Sequence, residues 1–383
     1  MRPTEIDADL YEPLLQEKSA HTESLFAEFN PPAIKVFPSP KLNYRMRAEF
    51  RVWHDGDELY HIMFDPTTKD KYRVDQFPPG SQIINQAMQR IIEEIKGNDI
   101  LRRKLYQIDY LSGLSGELLV SLIYRRQLDE EWQEEARKLR STLQAEMNVD
   151  LIGRARKQKF LLDRDFIIEK LPIDEREYTF KQIENSFTQP NASVNCEMIK
   201  WAKELTKDSD HDLLELYCGA GNFSLPLAQC FTKVLATEIA KSSVAAAQFN
   251  IEQNNIDNVS IIQMSSEEFS AHIANGSHTA EGSHTAEGSH SAEGSFEKKM
   301  KGIKWADYDC KTVLVDPPRS GLDDETVTLV QQFEHIVYIS CNPETLKENV
   351  AALSDTHKIE HFALFDQFPY THHAEVGVYL SKK

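Results

Sequence analysis

From about residue 180 onward, short apolar runs alternate with stretches of helical spacing, and that rhythm constrains the chain more than any other feature. Leu213–Tyr217, Val234–Thr237, Val259–Gln263, Thr312–Val315 and Ile336–Ser340 read as strands, each too short and too apolar for a surface hairpin. Strands spaced by helices build βαβ units, which form a parallel sheet covered on both faces. The expected fold class is therefore α/β, a Rossmann-like domain with a doubly wound, mostly parallel sheet.

The first half follows a different rule. Residues 44–54 alternate apolar even positions with mostly charged odd ones, the period of a half-buried strand. Asp55-Gly56-Asp57 makes a turn and Leu59 to Phe64 returns, giving a hairpin whose outer face presents Arg45, Arg47 and Arg51 together. A helix over Ser81–Lys96, strands over Leu105–Leu111 and Glu117–Tyr124, and a charge-laced helix over Glu130–Glu146 complete an α+β domain with antiparallel strands. The expected division is 1–180 for this domain and 181–383 for the Rossmann-like one. Within the second, Gly276–Glu293 repeats Gly-Ser-His-Thr-Ala-Glu twice and Gly-Ser-His-Ser-Ala-Glu once. Small and polar, it cannot bury a core and is expected to be a disordered insertion near 276–295. His278, His284 and His290 lie six residues apart in it and make no preformed metal site, so no metal is expected.

Charge and cysteine usage narrow the partners. The formal charge is 43 − 61 = −18, which at first argues against nucleic acid. Residues 1–180 hold 27 Lys+Arg against 32 Asp+Glu, a net of −5, so −13 of the total belongs to residues 181–383 and basic patches remain available in the first half. No apolar run approaches the ~18 residues of a spanning helix, so no membrane partner is expected. The N-terminus is acidic without an export pattern, and the default compartment is the cytoplasm. Cys196, Cys218, Cys230, Cys310 and Cys341 are odd in number without a CxxC pair, so single thiols become candidates for chemistry.

Three strand ends carry those candidates. Leu213 to Tyr217 runs into Cys218-Gly219-Ala220-Gly221-Asn222-Phe223, a Gly-x-Gly turn leading to an apolar helix near Ser224, where backbone can approach a ligand. The third glycine of a dinucleotide fingerprint is missing, which weakens a pyrophosphate reading. Glu238, nineteen residues after Gly219, closes the second strand where a carboxylate can accept both hydroxyls of a ribose. A purely structural glycine turn is the competing reading. Asp316-Pro317-Pro318-Arg319 ends the fourth strand, and Cys341-Asn342-Pro343 ends the fifth on the same edge. Cys341 is either a nucleophile beside the presumed pocket or one more buried small hydrophobe.

These residues also carry a resemblance. Ser186-Phe187-Thr188-Gln189-Pro190-Asn191, Glu215 to Phe223, Asp316 to Leu322, Ser340-Cys341-Asn342-Pro343 and Phe368-Pro369-Tyr370-Thr371-His372-His373-Ala374-Glu375 resemble the S-adenosylmethionine-dependent RNA 5-methyluridine methyltransferases. Tyr44 to Arg51 resembles, within them, the tRNA (uracil-5-)-methyltransferases that make T-loop ribothymidine. The likeness spans nearly the whole chain apart from the repeat. Relatives acting on ribosomal RNA usually carry an N-terminal OB-like module and an iron–sulfur cysteine cluster, and no cysteine precedes Cys196.

The resemblance implies a methyl transfer from S-adenosyl-L-methionine to C5 of uracil-54 in the T-arm of tRNA. It implies Cys341 as the nucleophile toward C6 and Glu375 as the base, with Gln189, Tyr217, Gly219, Asn222, Glu238 and Asp316 at the cofactor. Arg319 is expected to favour the thiolate. The target uridine must be flipped out of its stack, so Arg45, Arg47, Arg51 and Arg125 are expected to meet RNA and Tyr106 and Tyr124 to stack on bases. Arg102-Arg103-Lys104, Arg126 and the run Arg154, Arg156, Lys157, Lys159 extend the basic set. Other T-loop-containing RNA, a uracil of ribosomal or transfer-messenger RNA, and a purely RNA-binding or RNA-folding role stand as alternatives, with no obligate protein partner expected.

Overall fold

The computed structural model describes residues 2–276, 296, 298–300 and 302–383. The expected insertion near 276–295, with its three histidines, lies outside the described residues apart from Gly276. Two compact units emerge, one of residues 1–12, 39–171 and 179–193, the other of 13–38, 172–178 and 194–383. The chain thus passes between the units more than once, where the expected boundary was a single one near 180. One reason is the first strand, β1 (Lys35–Phe37), which pairs in parallel with a strand near the C-terminus of the second unit through Phe37 and Phe365, whose rings stack at 4.7 Å.

The first unit is built on a seven-stranded sheet. Its strands are β2 (Arg47–Asp55), β3 (Glu58–Phe64), β4 (Lys71–Val74), β5 (Leu105–Ser112), β6 (Leu118–Tyr124), β7 (Val149–Ala155) and β8 (Gln158–Leu161), ordered β4-β3-β2-β5-β6-β7-β8. Ala48, Phe50 and Val52 of β2 face a core shared with the helix Gln82–Lys96, which buries Ile84, Ala87, Met88, Ile91 and Ile95 along one stripe. Ser81 caps that helix through the Ile84 amide. The expected antiparallel sheet has one exception: β6 and β7 run parallel. The helix Glu130–Gln144 makes the crossover that parallel neighbours require, and its Trp132 packs where a Cβ on Gly153 of β7 would lie 2.1 Å from the indole. A two-stranded ribbon follows, β9 (Phe166–Ile173) and β10 (Arg176–Ile183), its ends in the first unit and its tip in the second.

The second unit holds an eight-stranded mixed sheet. Its further strands are β11 (Asp212–Leu216), β12 (Val234–Glu238), β13 (Val259–Gln263), β14 (Cys310–Val315), β15 (His335–Ser340), β16 (His357–Phe365) and β17 (Glu375–Lys382), ordered β1-β16-β17-β15-β14-β11-β12-β13. Strands β11 to β15 pair in parallel, as the alternation of apolar runs predicts, and β17 inserts antiparallel between β15 and β16. From β11 the chain winds outward through β12 and β13, then returns to the other side of β11 as β14. That reversal opens a crevice at the carboxyl ends of β11 and β14, the place where open α/β sheets bind ligands. Among the described residues no helix is long and apolar enough to cross a membrane.

Candidate active site

At the carboxyl end of β11 the chain turns through two left-handed glycines, Gly219 at φ +58° and Gly221 at φ +85°. They serve different ends. A Cβ on Gly221 would strike Leu225 at 2.3 Å, so that glycine is needed for packing, whereas a Cβ on Gly219 would meet nothing within 4 Å. Gly219 therefore faces open space where a ligand can approach the backbone. The helix after the turn is only Ser224–Leu227, shorter than the apolar run suggests, and passes into a 3-10 turn over Ala228–Cys230. Tyr217, also left-handed at φ +63°, has its hydroxyl pushed up to about 12 by burial.

Glu238 closes β12 beside this turn, accepting from the Gly219 amide at 3.0 Å and the Ala240 amide at 2.6 Å. Next to it Ile239 is 67% exposed, a large apolar side chain left open. Ile239, Gln263, Met264, Ser265, Glu268, Lys298 and Lys299 line a cleft of about 510 Å³. Neither Ile239 nor Met264 stood out in the sequence, although each follows a predicted strand directly. Asn222 is held by a reciprocal amide pair with Asn195, at 2.9 and 2.8 Å. Beneath the turn lies Glu215, its carboxyl accepting from the Ser224 hydroxyl and pushed up to about 8 by burial, with Asp316 and Glu238 adding to the rise. A carboxylate placed for a diol, an open glycine backbone and a cleft to which Ile239 and Met264 contribute apolar surface fit a nucleoside-bearing cofactor such as S-adenosylmethionine.

The second half of the site lies further along the same edge. Asn342 Nδ2 donates to the Arg319 carbonyl at 2.8 Å and Thr345 Oγ1 to the same carbonyl at 3.3 Å, so the Asp316–Ser320 loop is tied to the loop holding Cys341. Asn349 keeps the first loop tight by accepting from the Leu322 amide, at 2.9 Å, and the Tyr338 hydroxyl, at 2.7 Å. Pro343 at the first turn starts the helix Pro343–Leu353 immediately after Cys341 and Asn342. Glu375, the first residue of β17, is 2% exposed. Its carboxyl is raised well above the usual carboxylate range by burial and then by Asp316, while Arg319 opposes the rise. Asp316 is likewise raised by burial.

Opposing influences act on the Cys341 thiol. Arg319 lowers its pKa, but burial outweighs that pull and Glu375 and Asp316 raise it further, so the thiol stands at about 11.

Cys341, Glu375, Tyr217, Gly219, Asn222, Glu238 and Asp316 all belong to the second unit, and Gln189 to the first. Gln189 is half-buried just before Pro190, whose carbonyl accepts from the Met46 amide at 2.8 Å. The five RNA candidates are in the first unit; Arg47 and Arg51 share a face of β2, but the five do not gather at one spot. Arg45 is outside β2, with Nε donating to the Arg47 carbonyl at 2.9 Å, and Arg47 donates to the Ser186 carbonyl at 3.1 Å and pairs with Glu49. Arg51 and Arg125 instead meet over one ring, their guanidinium carbons 3.9 and 3.6 Å from the Tyr106 centroid. With Trp53, Phe64 and Lys104 they line an open groove of about 590 Å³ that contains no acidic residue. Trp53 and Phe64 were not among the expected residues, although Trp53, at an odd position of the alternating run, falls on the outer face with Arg51.

Other basic residues are committed internally. Arg154 and Lys159 pair with Glu184, and Arg126 donates to the carbonyls of Arg103 and Ile100. Tyr124 is buried with its hydroxyl on the Leu101 carbonyl at 2.8 Å, so its ring is not free to stack on a base.

Comparison with known proteins accords with this geometry. Residues 10–383 match the family model for tRNA (uracil-5-)-methyltransferase. A tRNA/tmRNA (uracil-C(5))-methyltransferase of Pseudoalteromonas atlantica is 58% identical over 383 residues, covering 100% of both chains. One of Psychromonas ingrahamii is 56% identical over 378 residues, covering 99% of each. The fold is similar to that of the Pyrococcus abyssi tRNA (uracil-54, C5)-methyltransferase in complex with S-adenosyl-L-homocysteine, with a TM-score of 0.68 and 22% identity over 97% of this chain and 83% of that one. The chain belongs to the tRNA (uracil-5-)-methyltransferase family, which takes its methyl group from S-adenosylmethionine.

Proposed function

We propose that this chain methylates C5 of uracil-54 in the T-loop of tRNA, through a covalent bond between Cys341 Sγ and uracil C6, with Glu375 removing the C5 proton. The observation that carries the reading is the emergence of Cys341 and Glu375 from adjacent strands on the edge that also holds Gly219, Glu238 and Asp316. Uracil C5 is a weak nucleophile. Addition of the Cys341 thiolate to C6 breaks the C5–C6 double bond and places carbanion character at C5, dividing one hard step into easier ones. When bound, S-adenosylmethionine supplies an electrophilic methyl group.

After C5 has gained its methyl, the Glu375 carboxylate takes the remaining C5 proton, the double bond re-forms and the Cys341 sulfur leaves as thiolate. A carboxyl with a raised pKa is the stronger base once ionised, which suits Glu375 to that step. Glu238 and the Gly219 backbone would hold the ribose side of the cofactor and Ile239 its apolar face, with Tyr217, Asn222 and Asp316 completing the set within the second unit. The first unit would hold the opened T-arm, Tyr106 stacking and Arg51, Arg125 and Lys104 meeting phosphates.

Both curated relatives are named for tRNA and tmRNA, which favours a T-loop in transfer-messenger RNA as a second substrate. Nucleoside analysis of unmodified tRNA after incubation with the protein and S-adenosylmethionine tests the reading. One 5-methyluridine per tRNA at position 54 is expected, and Cys341→Ala should give none. Methylation confined to ribosomal RNA, or at another tRNA position, would contradict it.

A further inference from the structure

The loop that delivers Glu375 is tied down by a residue 348 positions from its start. Residues 366–374 join β16 to β17, and Glu375 is the first residue after them. Lys18, on the helix Tyr11–Phe26, reaches this loop with a buried ammonium. Its Nζ donates to Asp366 Oδ1 at 2.6 Å and to the Phe368 carbonyl at 3.0 Å. Both side chains of the pair are almost wholly enclosed, at 6% and 2%.

Two features make this more than a core ion pair. The Phe368 carbonyl also accepts from Thr371 Oγ1 at 2.8 Å and the Thr371 amide at 3.3 Å, so Lys18 holds the acceptor on which the turn closes. Within that turn Tyr370 adopts φ +61°, a left-handed conformation unfavourable for a bulky residue, which persists only when its surroundings enforce it. The start of the loop is anchored too: the Asp366 amide donates to the Phe37 carbonyl at 3.0 Å, and Phe26 of the Lys18 helix packs on Phe362 of β16 at 5.2 Å. A buried ion pair adds little stability over an apolar pair of the same shape, but it specifies one arrangement of the groups around it.

We propose that Lys18 is a positioning residue for the general base: by holding Asp366 and the Phe368 carbonyl it fixes the 366–374 loop and hence the placement of Glu375. This rests on the reading of Glu375 as the base. Lys18 is enclosed, with its ammonium on Asp366 and the Phe368 carbonyl, and acts through the loop. Its loss should slow the step that Glu375 performs while leaving attack by Cys341 in place.

The test compares Lys18→Met, Lys18→Arg, Glu375→Gln and the double variant Lys18→Met/Glu375→Gln in the full chain with tRNA and S-adenosylmethionine. Displacement of a reacting group by about 1 Å costs on the order of 10²-fold in rate, so kcat of Lys18→Met should fall by about that factor with KM for both substrates little changed. Methylated tRNA attached to Cys341 should build up during turnover, visible as a retarded band on a denaturing gel. Lys18→Arg should restore part of the rate. The double variant should be no slower than Glu375→Gln, because both changes impair one step.

Should Lys18→Met fold poorly, Lys18→Met/Asp366→Leu replaces the whole pair with apolar groups of similar shape and still deprives the Phe368 carbonyl of the Lys18 donor. Recovered folding with slow turnover and accumulated adduct supports the proposal. Slow turnover without adduct above the wild-type level, while Glu375→Gln does trap adduct, overturns it and leaves the base assignment intact. Failure of Glu375→Gln itself to trap adduct overturns the base assignment instead.

Discussion

Cys341 and Glu375 stand at the same end of one antiparallel strand pair. Strands β15 and β17 are in register through Ser340 and Val376, and the next residues at that end are Cys341 on one strand and Glu375 on the other. A carboxyl so placed bears on the thiol. After burial, Glu375 is the largest influence raising the thiol to about 11, and Arg319 opposes it.

That balance predicts the reactivity of Cys341 without RNA. Alkylation of the Cys341 peptide by iodoacetamide should accelerate with pH toward about 11 in the parent. Glu375→Gln removes a negative neighbour, so the rise should move to lower pH; Arg319→Met removes a positive one, so it should move to higher pH and slow alkylation at pH 8 by about tenfold. Mass spectrometry of the alkylated peptide reads both. No shift in either variant would show that burial alone governs the thiol.

The glycine turn offers a separation of packing from ligand space. Gly219→Ala should cost about 1–2 kcal/mol of stability from its left-handed backbone and raise KM for S-adenosylmethionine at least tenfold, because its new methyl enters the open space. Gly221→Ala drives a methyl into Leu225 and should lower the melting temperature much further. Equal cofactor KM in Gly219→Ala and the parent would remove this turn from the cofactor site.

How much of this was legible in the sequence follows from where each residue sits. Glu238, Asp316 and Cys341 directly follow apolar strand runs, so periodicity alone places them on one sheet edge. Glu375 carries no such mark, because β17 enters the sheet out of order and antiparallel; only the likeness of Phe368 to Glu375 to a family motif drew attention to it. Lys18 was invisible, since its partner is 348 residues away and its helix has no clean apolar stripe. Tyr124 was misjudged because alternation separates two faces of a strand without saying that the helices Gln82–Lys96 and Glu130–Gln144 cover the one it occupies.

Buried Glu215 predicts a pH dependence of stability. Its carboxyl ionises near 4.5 ordinarily and near 8 in the folded chain. Below pH 4.5 both states are protonated and the group contributes nothing. As pH rises from 4.5 to 8 only the unfolded chain loses the proton, so folding is progressively disfavoured, and above 8 the full penalty remains. Glu215→Gln should therefore gain stability over the parent at pH 8 and little at pH 4.5, by on the order of 2 kcal/mol in urea unfolding. A gap independent of pH would place the ionisation elsewhere.

The first-unit groove should govern RNA affinity. Tyr106→Ala is expected to weaken tRNA binding by about 1–3 kcal/mol, the worth of a base–aromatic stack, and Arg51→Gln with Arg125→Gln to lower the slope of log affinity against log salt. Cofactor affinity should stay near the parent's. Unchanged tRNA affinity across these variants, measured by filter binding at several salt concentrations, would move the RNA site off this groove.

The central claim is that Cys341 bonds to the uracil and Glu375 ends that bond. Its most direct measurement is the intact mass of Glu375→Gln after incubation with tRNA and S-adenosylmethionine, followed by nuclease digestion and peptide mapping. The account predicts a 5-methyluridine nucleotide attached through Cys341, surviving denaturation, and no such species in Cys341→Ala. Free 5-methyluridine tRNA released by Glu375→Gln at the parental rate, or made at all by Cys341→Ala, would contradict it.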